Sequence, residues 1–194
     1  MEIIPLTLGD YMTNCYILRQ EASHACCIID PGYEAGRILS LLEEKQLTPE
    51  AILLTHGHFD HVGAVRDLAA ETDCDVYISA ADLSLPPMIT GGPLYYTDTY
   101  PESGSLSIAG LTFCIIPTPG HTPGSVCLMV EDAIFSGDTL FAGSCGRTDL
   151  PGGSWGSISA SLKKLAALPG DYHVFPGHGG ATTLENERKN NPYL

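Results

Sequence analysis

A chain of 194 residues suits one domain, and 44% hydrophobic with 16% charged residues describes an ordinary soluble globular protein. The net charge of −14 argues against binding a phosphate backbone, and no apolar run approaches the roughly 18 residues of a membrane span. Seven cysteines without a Cys-x-x-Cys pair, and a start Met1-Glu2-Ile3-Ile4 unlike a secretion signal, predict free thiols in a reducing cytoplasm.

Residues 2–8 alternate weakly and predict an edge strand. Residues 13–18 form a second strand and 25–30 a third, which Asp30-Pro31-Gly32 breaks. From Glu34 to Lys45, Ile38, Leu41 and Leu42 repeat at helical spacing. Pro49 restarts the chain, and 51–55 is a short, buried apolar strand. One helix over 61–71 and a strand over 75–78 follow, so the first half implies a parallel or mixed sheet. Residues 82–103, rich in Pro, Gly and Tyr, form a long irregular stretch, either a loop over a site or only a connector.

The second half opens with strands at 104–108 and 111–116. Pro117-Thr118-Pro119-Gly120-His121-Thr122-Pro123-Gly124 then fixes a loop that holds His121 at a strand end. Strands at 125–130 and 133–137 lead to Asp138, a glycine-rich loop spans 142–156, and a helix covers 157–167. A strand at 172–175 leads to Pro176-Gly177-His178-Gly179, and a last helix lies near 183–189.

The chemistry concentrates in Thr55-His56-Gly57-His58-Phe59-Asp60-His61, where three imidazoles and one carboxylate sit within six residues. His56 and His58, two apart, project to one side of an extended chain, while Asp60 and His61 suit the turn into a helix. One corner can thus aim two ligands at one metal and two at a neighbour, in a donor set that suits zinc, iron or manganese. Asp60 acting only as a helix N-cap is the competing structural role. His121, Asp138 and His178 also follow apolar strands, so strand ends from two β-rich halves converge on one metal cleft, helices outside.

His56-x-His58-x-Asp60-His61, Gly-His121, Gly-Asp138 and Gly-His178 resemble the metallo-β-lactamase superfamily over essentially the whole chain. Cys145-Gly146-Arg147-Thr148-Asp149-Leu150-Pro151-Gly152-Gly153 and the tail from Pro176 are similar to its short glyoxalase II-like hydrolases. The resemblance implies a four-layer αβ/βα sandwich of two internally similar halves within one domain, 1–194. It implies two divalent ions per chain, zinc first, with iron or manganese as alternatives. His56, His58 and His121 would hold the first, Asp60, His61 and His178 the second, and Asp138 would bridge them. His24 and His173 stay outside this set as surface or structural side chains.

Departures narrow the branch. His58 stands where the superfamily's diiron flavoproteins carry glutamate, and Asp138 where its zinc β-lactamases usually carry cysteine or another ligand set. The chain has no room for a nuclease's extra domain, and it stops before the helical domain with which standard glyoxalase II grips glutathione. The implied activity is hydrolysis of a small-molecule thioester such as S-lactoylglutathione, by a hydroxide shared between the ions and aimed by Asp60. A thiolate leaves with little acid help. Neither nucleic acid nor membrane is an expected partner. Arg147 could pair with a substrate carboxylate or with Asp149, and Cys145 could line the pocket or be structural. The alternative is a mononuclear iron persulfide dioxygenase using His56, His121 and Asp138, because Gly-Arg147-Thr148-Asp149 is also similar to that branch.

Overall fold

The computed structural model describes residues 1–101 and 104–194. Its first sheet holds six strands in chain order: β1 (Glu2–Leu8), β2 (Thr13–Arg19), β3 (Ala25–Ile29), β4 (Thr48–Leu53), β5 (Asp75–Ile78) and β6 (Asp98–Thr99). The first three pair antiparallel, and β3 to β6 run parallel. Parallel neighbours need crossovers. Helix α1 (Ala35–Glu44) joins β3 to β4, α2 (Phe59–Val62) and α3 (Val65–Thr72) join β4 to β5, and α4 (Pro87–Thr90) precedes β6.

The second sheet has the order β14-β13-β10-β9-β8-β7. Its strands are β7 (Ser105–Ile108), β8 (Leu111–Pro117), β9 (Val126–Val130), β10 (Ala133–Gly137), β13 (His173–Pro176) and β14 (Thr182–Thr183). A hairpin of β11 (Leu140–Phe141) and β12 (Ser144–Cys145) follows β10, then helix α5 (Trp155–Ala166); α6 (Leu184–Asn190) closes the chain. Only the β10–β13 pair is parallel here, which sets Asp138 and His178 side by side beyond the ends of those strands.

Strand alternation makes the layers. On β3, Cys26 and Ile28 pack with Ile38 and Leu42 of α1 and Leu68 of α3, whereas Cys27 and Ile29 pack with Phe113, Leu128 and Phe135 of the second sheet. On β10, Phe135 faces the first sheet and Ile134 packs with Ile158, Leu162 and Leu165 of α5. Strands covered on both faces read as unbroken apolar runs. The result is helix, sheet, sheet, helix, the four-layer αβ/βα sandwich. Fully buried Phe113 and Phe135 anchor the layer between the sheets, each contributing about 1.5–3 kcal/mol over an exposed ring. No helix among the described residues is long and apolar enough to cross a membrane.

Three expectations are corrected. The helix expected over 61–71 begins at Phe59 and is two helices. It breaks because Gly63 packs on the turn after β3: a Cβ there would lie 2.3 Å from Gly32 O, and Ala64 N donates to Pro31 O at 3.0 Å. The strand expected over 51–55 is shifted to Thr48–Leu53. Thr55 leaves the ladder because its N–H donates to the Asp30 carboxylate at 2.8 Å. The stretch 82–103 is both cover and connector: α4 brings Met88 and Ile89 over the site, and β6 returns to the sheet edge. Its last two residues, 102–103, lie outside the described residues.

Candidate metal centre

The site forms where strands of both sheets end. His56 follows β4, His121 follows β8, Asp138 follows β10 and His178 follows β13. Cross-sheet bonds lock these ends together: Val126 N donates to Thr55 O at 2.9 Å, and Asn14 N to Gly177 O at 2.7 Å. Glycine precedes the distal ligands for reasons of space and conformation. Gly137 sits at φ +48°, and a Cβ on Gly177 would lie 2.3 Å from Asp138 Oδ1.

All seven ligand-type residues expected from the sequence meet here. His56, His58 and His121 form one trio, and Asp60, His61 and His178 another, with the ligand atoms of each within 4.8 Å of one another. His58 Nδ1 and His121 Nε2 are 2.8 Å apart, and His61 Nε2 and His178 Nε2 are 3.3 Å apart. Asp138 faces both trios. Its Oδ2 is 3.4 Å from His121 Nε2 and 3.5 Å from His178 Nε2, and its Oδ1 is 3.4 Å from His61 Nε2. Asp60 Oδ2 is 3.3 Å from His178 Nε2. The N-cap of α2 is His58, not Asp60, so capping does not explain the carboxylate.

Outer contacts dictate which nitrogen each ring presents. His121 Nδ1 donates to Arg147 O at 2.8 Å and His178 Nδ1 to Tyr11 O at 3.1 Å. His61 Nδ1 donates to Asp30 Oδ2 at 2.9 Å. The Thr55 hydroxyl donates to the same oxygen at 2.6 Å, so it accepts from His56 Nδ1 at 3.0 Å. Four imidazoles therefore turn a bare Nε2 inward, and His58 alone presents Nδ1. Such outer partners orient metal-binding histidines generally.

The residues present fit a metal. Of the atoms turned into the centre, His56 Nε2 and Asp138 Oδ1 are buried with no hydrogen-bond partner, which is costly in a protein interior. Burial, helped by the neighbouring rings, holds His56 well below the usual histidine range and brings His58 down to about 4, leaving both neutral and able to ligate. Burial also pulls on His61 and His178, but Asp138 and Asp30 push the first up, and Asp60 and Asp138 the second. Burial pushes Asp138 up, yet His61, His121 and His178 overcome it and hold the carboxyl well below the carboxylate range. These opposed shifts mark carboxylates that call for positive charge, which a divalent cation supplies more strongly than a proton.

Two supporting carboxylates carried no signal of their own in the sequence. Asp30 shared the one available clue, a polar residue just after an apolar strand, yet read only as a sheet breaker. Asp82 lay in the stretch without pattern. It is fully buried and accepts from Gly57 N at 2.8 Å, Gly124 N at 2.6 Å and Thr122 Oγ1 at 2.9 Å. It thereby ties the loop of His56 and His58 to the loop of His121. Asn at this position turns an N–H toward one of these donors. Asp82→Asn is therefore expected to cost about 1–3 kcal/mol of stability and to weaken metal binding about 10-fold or more. Chelator competition and thermal unfolding read the two effects; metal affinity within twofold of the parent contradicts the positioning role.

The centre opens into a cavity of about 720 Å³. Its lining includes Arg147 and Cys145. The Arg147 guanidinium grips Asp149 with two bonds of 2.7 Å, which brings the Asp149 carboxyl down to about 2. Cys145, on β12, is partly buried, and burial pushes its thiol up.

A family model described as the metallo-beta-lactamase superfamily matches residues 8–178. The chain belongs to that superfamily. Hydroxyacylglutathione hydrolase GloC of Haemophilus influenzae is 35% identical over 209 residues, covering 100% of this chain and 97% of that protein. Among solved structures, the BLEG-1 B3 metallo-beta-lactamase superposes with a TM-score of 0.90 at 38% identity, covering 100% of this chain and 99% of that one. TTHA1623, in a di-iron-bound form, gives 0.86 at 39%, with 98% and 100% covered. ETHE1 from Myxococcus xanthus gives 0.87 at 28%, with 99% and 84% covered. The superfamily thus accounts for the fold and for metal dependence, and the relatives named for an activity include both a hydroxyacylglutathione hydrolase and a beta-lactamase.

Proposed function

We propose that the protein is a dinuclear thioesterase of the hydroxyacylglutathione hydrolase kind. The observation that carries this reading is Asp138 set between two ligand trios. His56, His58 and His121 would hold one divalent ion, and Asp60, His61 and His178 the other, with Asp138 shared. Zinc suits these donors, and the di-iron form of TTHA1623 makes iron the alternative. When bound, such ions supply Lewis acidity and water of lowered pKa.

The chain's own residues orient the reaction. Asp30, Thr55, Arg147 O and Tyr11 O hold the ring tautomers, and Asp60, which lines the cavity, accepts a hydrogen bond from the attacking water and aims it at the carbonyl. The thioester and water give a carboxylic acid and a thiol: a C–O bond forms, the C–S bond breaks, and the sulfur takes the proton. A thiolate with a conjugate-acid pKa near 8.5 leaves without a strong general acid. The amide nitrogen of a β-lactam, the ring in BLEG-1's name, is a poorer leaving group. This reading gives the protein a small-molecule substrate, no nucleic-acid or membrane partner, and a place in the cytoplasm.

A second reading, a mononuclear iron dioxygenase held by His56, His121 and Asp138, rests on the similarity of Gly-Arg147-Thr148-Asp149 to persulfide dioxygenases, and the likeness to ETHE1 keeps it open. Metal content and S-lactoylglutathione hydrolysis, measured on one preparation, separate the two. Two ions per chain with rapid thioester loss support the hydrolase. One iron per chain, no hydrolysis and oxygen uptake with glutathione persulfide overturn it. His178→Ala sharpens the contrast: a dinuclear hydrolase is expected to lose one ion and about 100-fold or more in rate, whereas a mononuclear dioxygenase keeps its iron and most of its turnover.

A further inference from the structure

We propose that the substrate's thiol arm is held by apolar and aromatic contact and not by pairing of its carboxylates. The inference rests on the thioesterase reading and ranks, among its substrates, acyl thioesters with an uncharged arm above glutathione thioesters. Three observations carry it. First, Tyr11, Phe59, Met88, Phe141 and Leu150 line the cavity around the metal-ligand cluster, and Tyr11 and Met88 keep 58% and 80% of their surface open to solvent. Exposed side chains of this kind lose water-contacting area when an apolar arm lies across them.

Second, among the described residues Arg147 is the only lysine or arginine lining the cavity, although the chain has nine. Third, that guanidinium already makes a two-bond pair with Asp149 on its Nε and Nη2 edge. A glutathione arm brings two carboxylates to a wall with one cation, and Asp149 already occupies the Nε and Nη2 edge of that cation. Its charge also repels an incoming carboxylate, and the chain's −14 adds to this repulsion at low salt. An uncharged arm meets neither obstacle.

Binding of non-hydrolysable thioethers to the metal-loaded protein tests this without requiring turnover. S-hexylglutathione and S-hexyl-N-acetylcysteamine share the alkyl group and differ in the charge of the arm. The uncharged thioether is expected to bind at least about 3-fold more tightly, with a Kd that does not rise with salt. Asp149→Asn frees Arg147, so it is expected to tighten S-hexylglutathione about 3-fold or more and to leave the uncharged thioether unchanged. Tighter binding of the glutathione thioether to the parent protein, weakened by salt, overturns the proposal. Failure of both to bind, or no gain in Asp149→Asn, also overturns it. Preferential binding of the uncharged thioether together with no hydrolysis of either matching thioester upholds this inference and removes the thioesterase reading instead.

Discussion

Asp138→Ala is expected to leave the purified protein with less than one tightly bound metal per chain and to lower its turnover about 1000-fold or more. The magnitude follows from geometry. A single carboxylate lies within 3.5 Å of ring nitrogens from both trios, so its loss removes the negative charge that both positions share. Lewis-acid assistance is worth several kcal/mol, and each 1.36 kcal/mol is tenfold in rate. Asp138→Asn keeps the shape and loses the charge, so it separates packing from ligation: it is expected to fold like the parent and still lose metal. Elemental analysis after gel filtration, alongside thioester hydrolysis, reads both variants. Near-parent turnover with a full metal complement would show that Asp138 is not the shared ligand.

Asp30→Ala is expected to have the second-largest effect, although Asp30 is not itself assigned as a ligand. Its carboxylate accepts from Thr55 N, Thr55 Oγ1 and His61 Nδ1, at 2.8, 2.6 and 2.9 Å, in a fully enclosed setting. Alanine strands three buried donors, and breaking a buried charge-assisted contact of this kind costs about 3–5 kcal/mol. The same change frees His61 to rotate and lets the Thr55 hydroxyl turn away from His56, so metal affinity is expected to fall about 10–100-fold. Competition against a chelator measures the second effect and denaturant unfolding the first. A variant that unfolds more easily yet holds metal as tightly as the parent would reduce Asp30 to a structural role.

The sequence by itself determined the order of the longer strands and helices, without the split between α2 and α3 or the short elements α4, β6, β11, β12 and β14, and it marked the seven residues that meet at the centre. It could do so because those signals are local. The apolar runs of β3 and β4, the glycine before His121, Asp138 and His178, and the packed corner from His56 to His61 are all contained in short runs of chain. The resemblance to a known superfamily rested on the same short runs.

Only the tertiary structure decided what supports them. Asp30 and Asp82 act on partners 25 to 42 residues away, and a hydrogen bond across that distance leaves no periodicity to read. The helix break at Gly63 likewise depends on the Pro31-Gly32 turn, which packs against it only after the crossover from β3 has formed. Arg147 shows the limit most directly: the sequence left its guanidinium a choice between a substrate and Asp149, and the folded loop puts it on Asp149. Residue type and spacing mark candidate ligands because coordination chemistry is specific, whereas the bonds that aim those side chains depend on which strands the fold brings together.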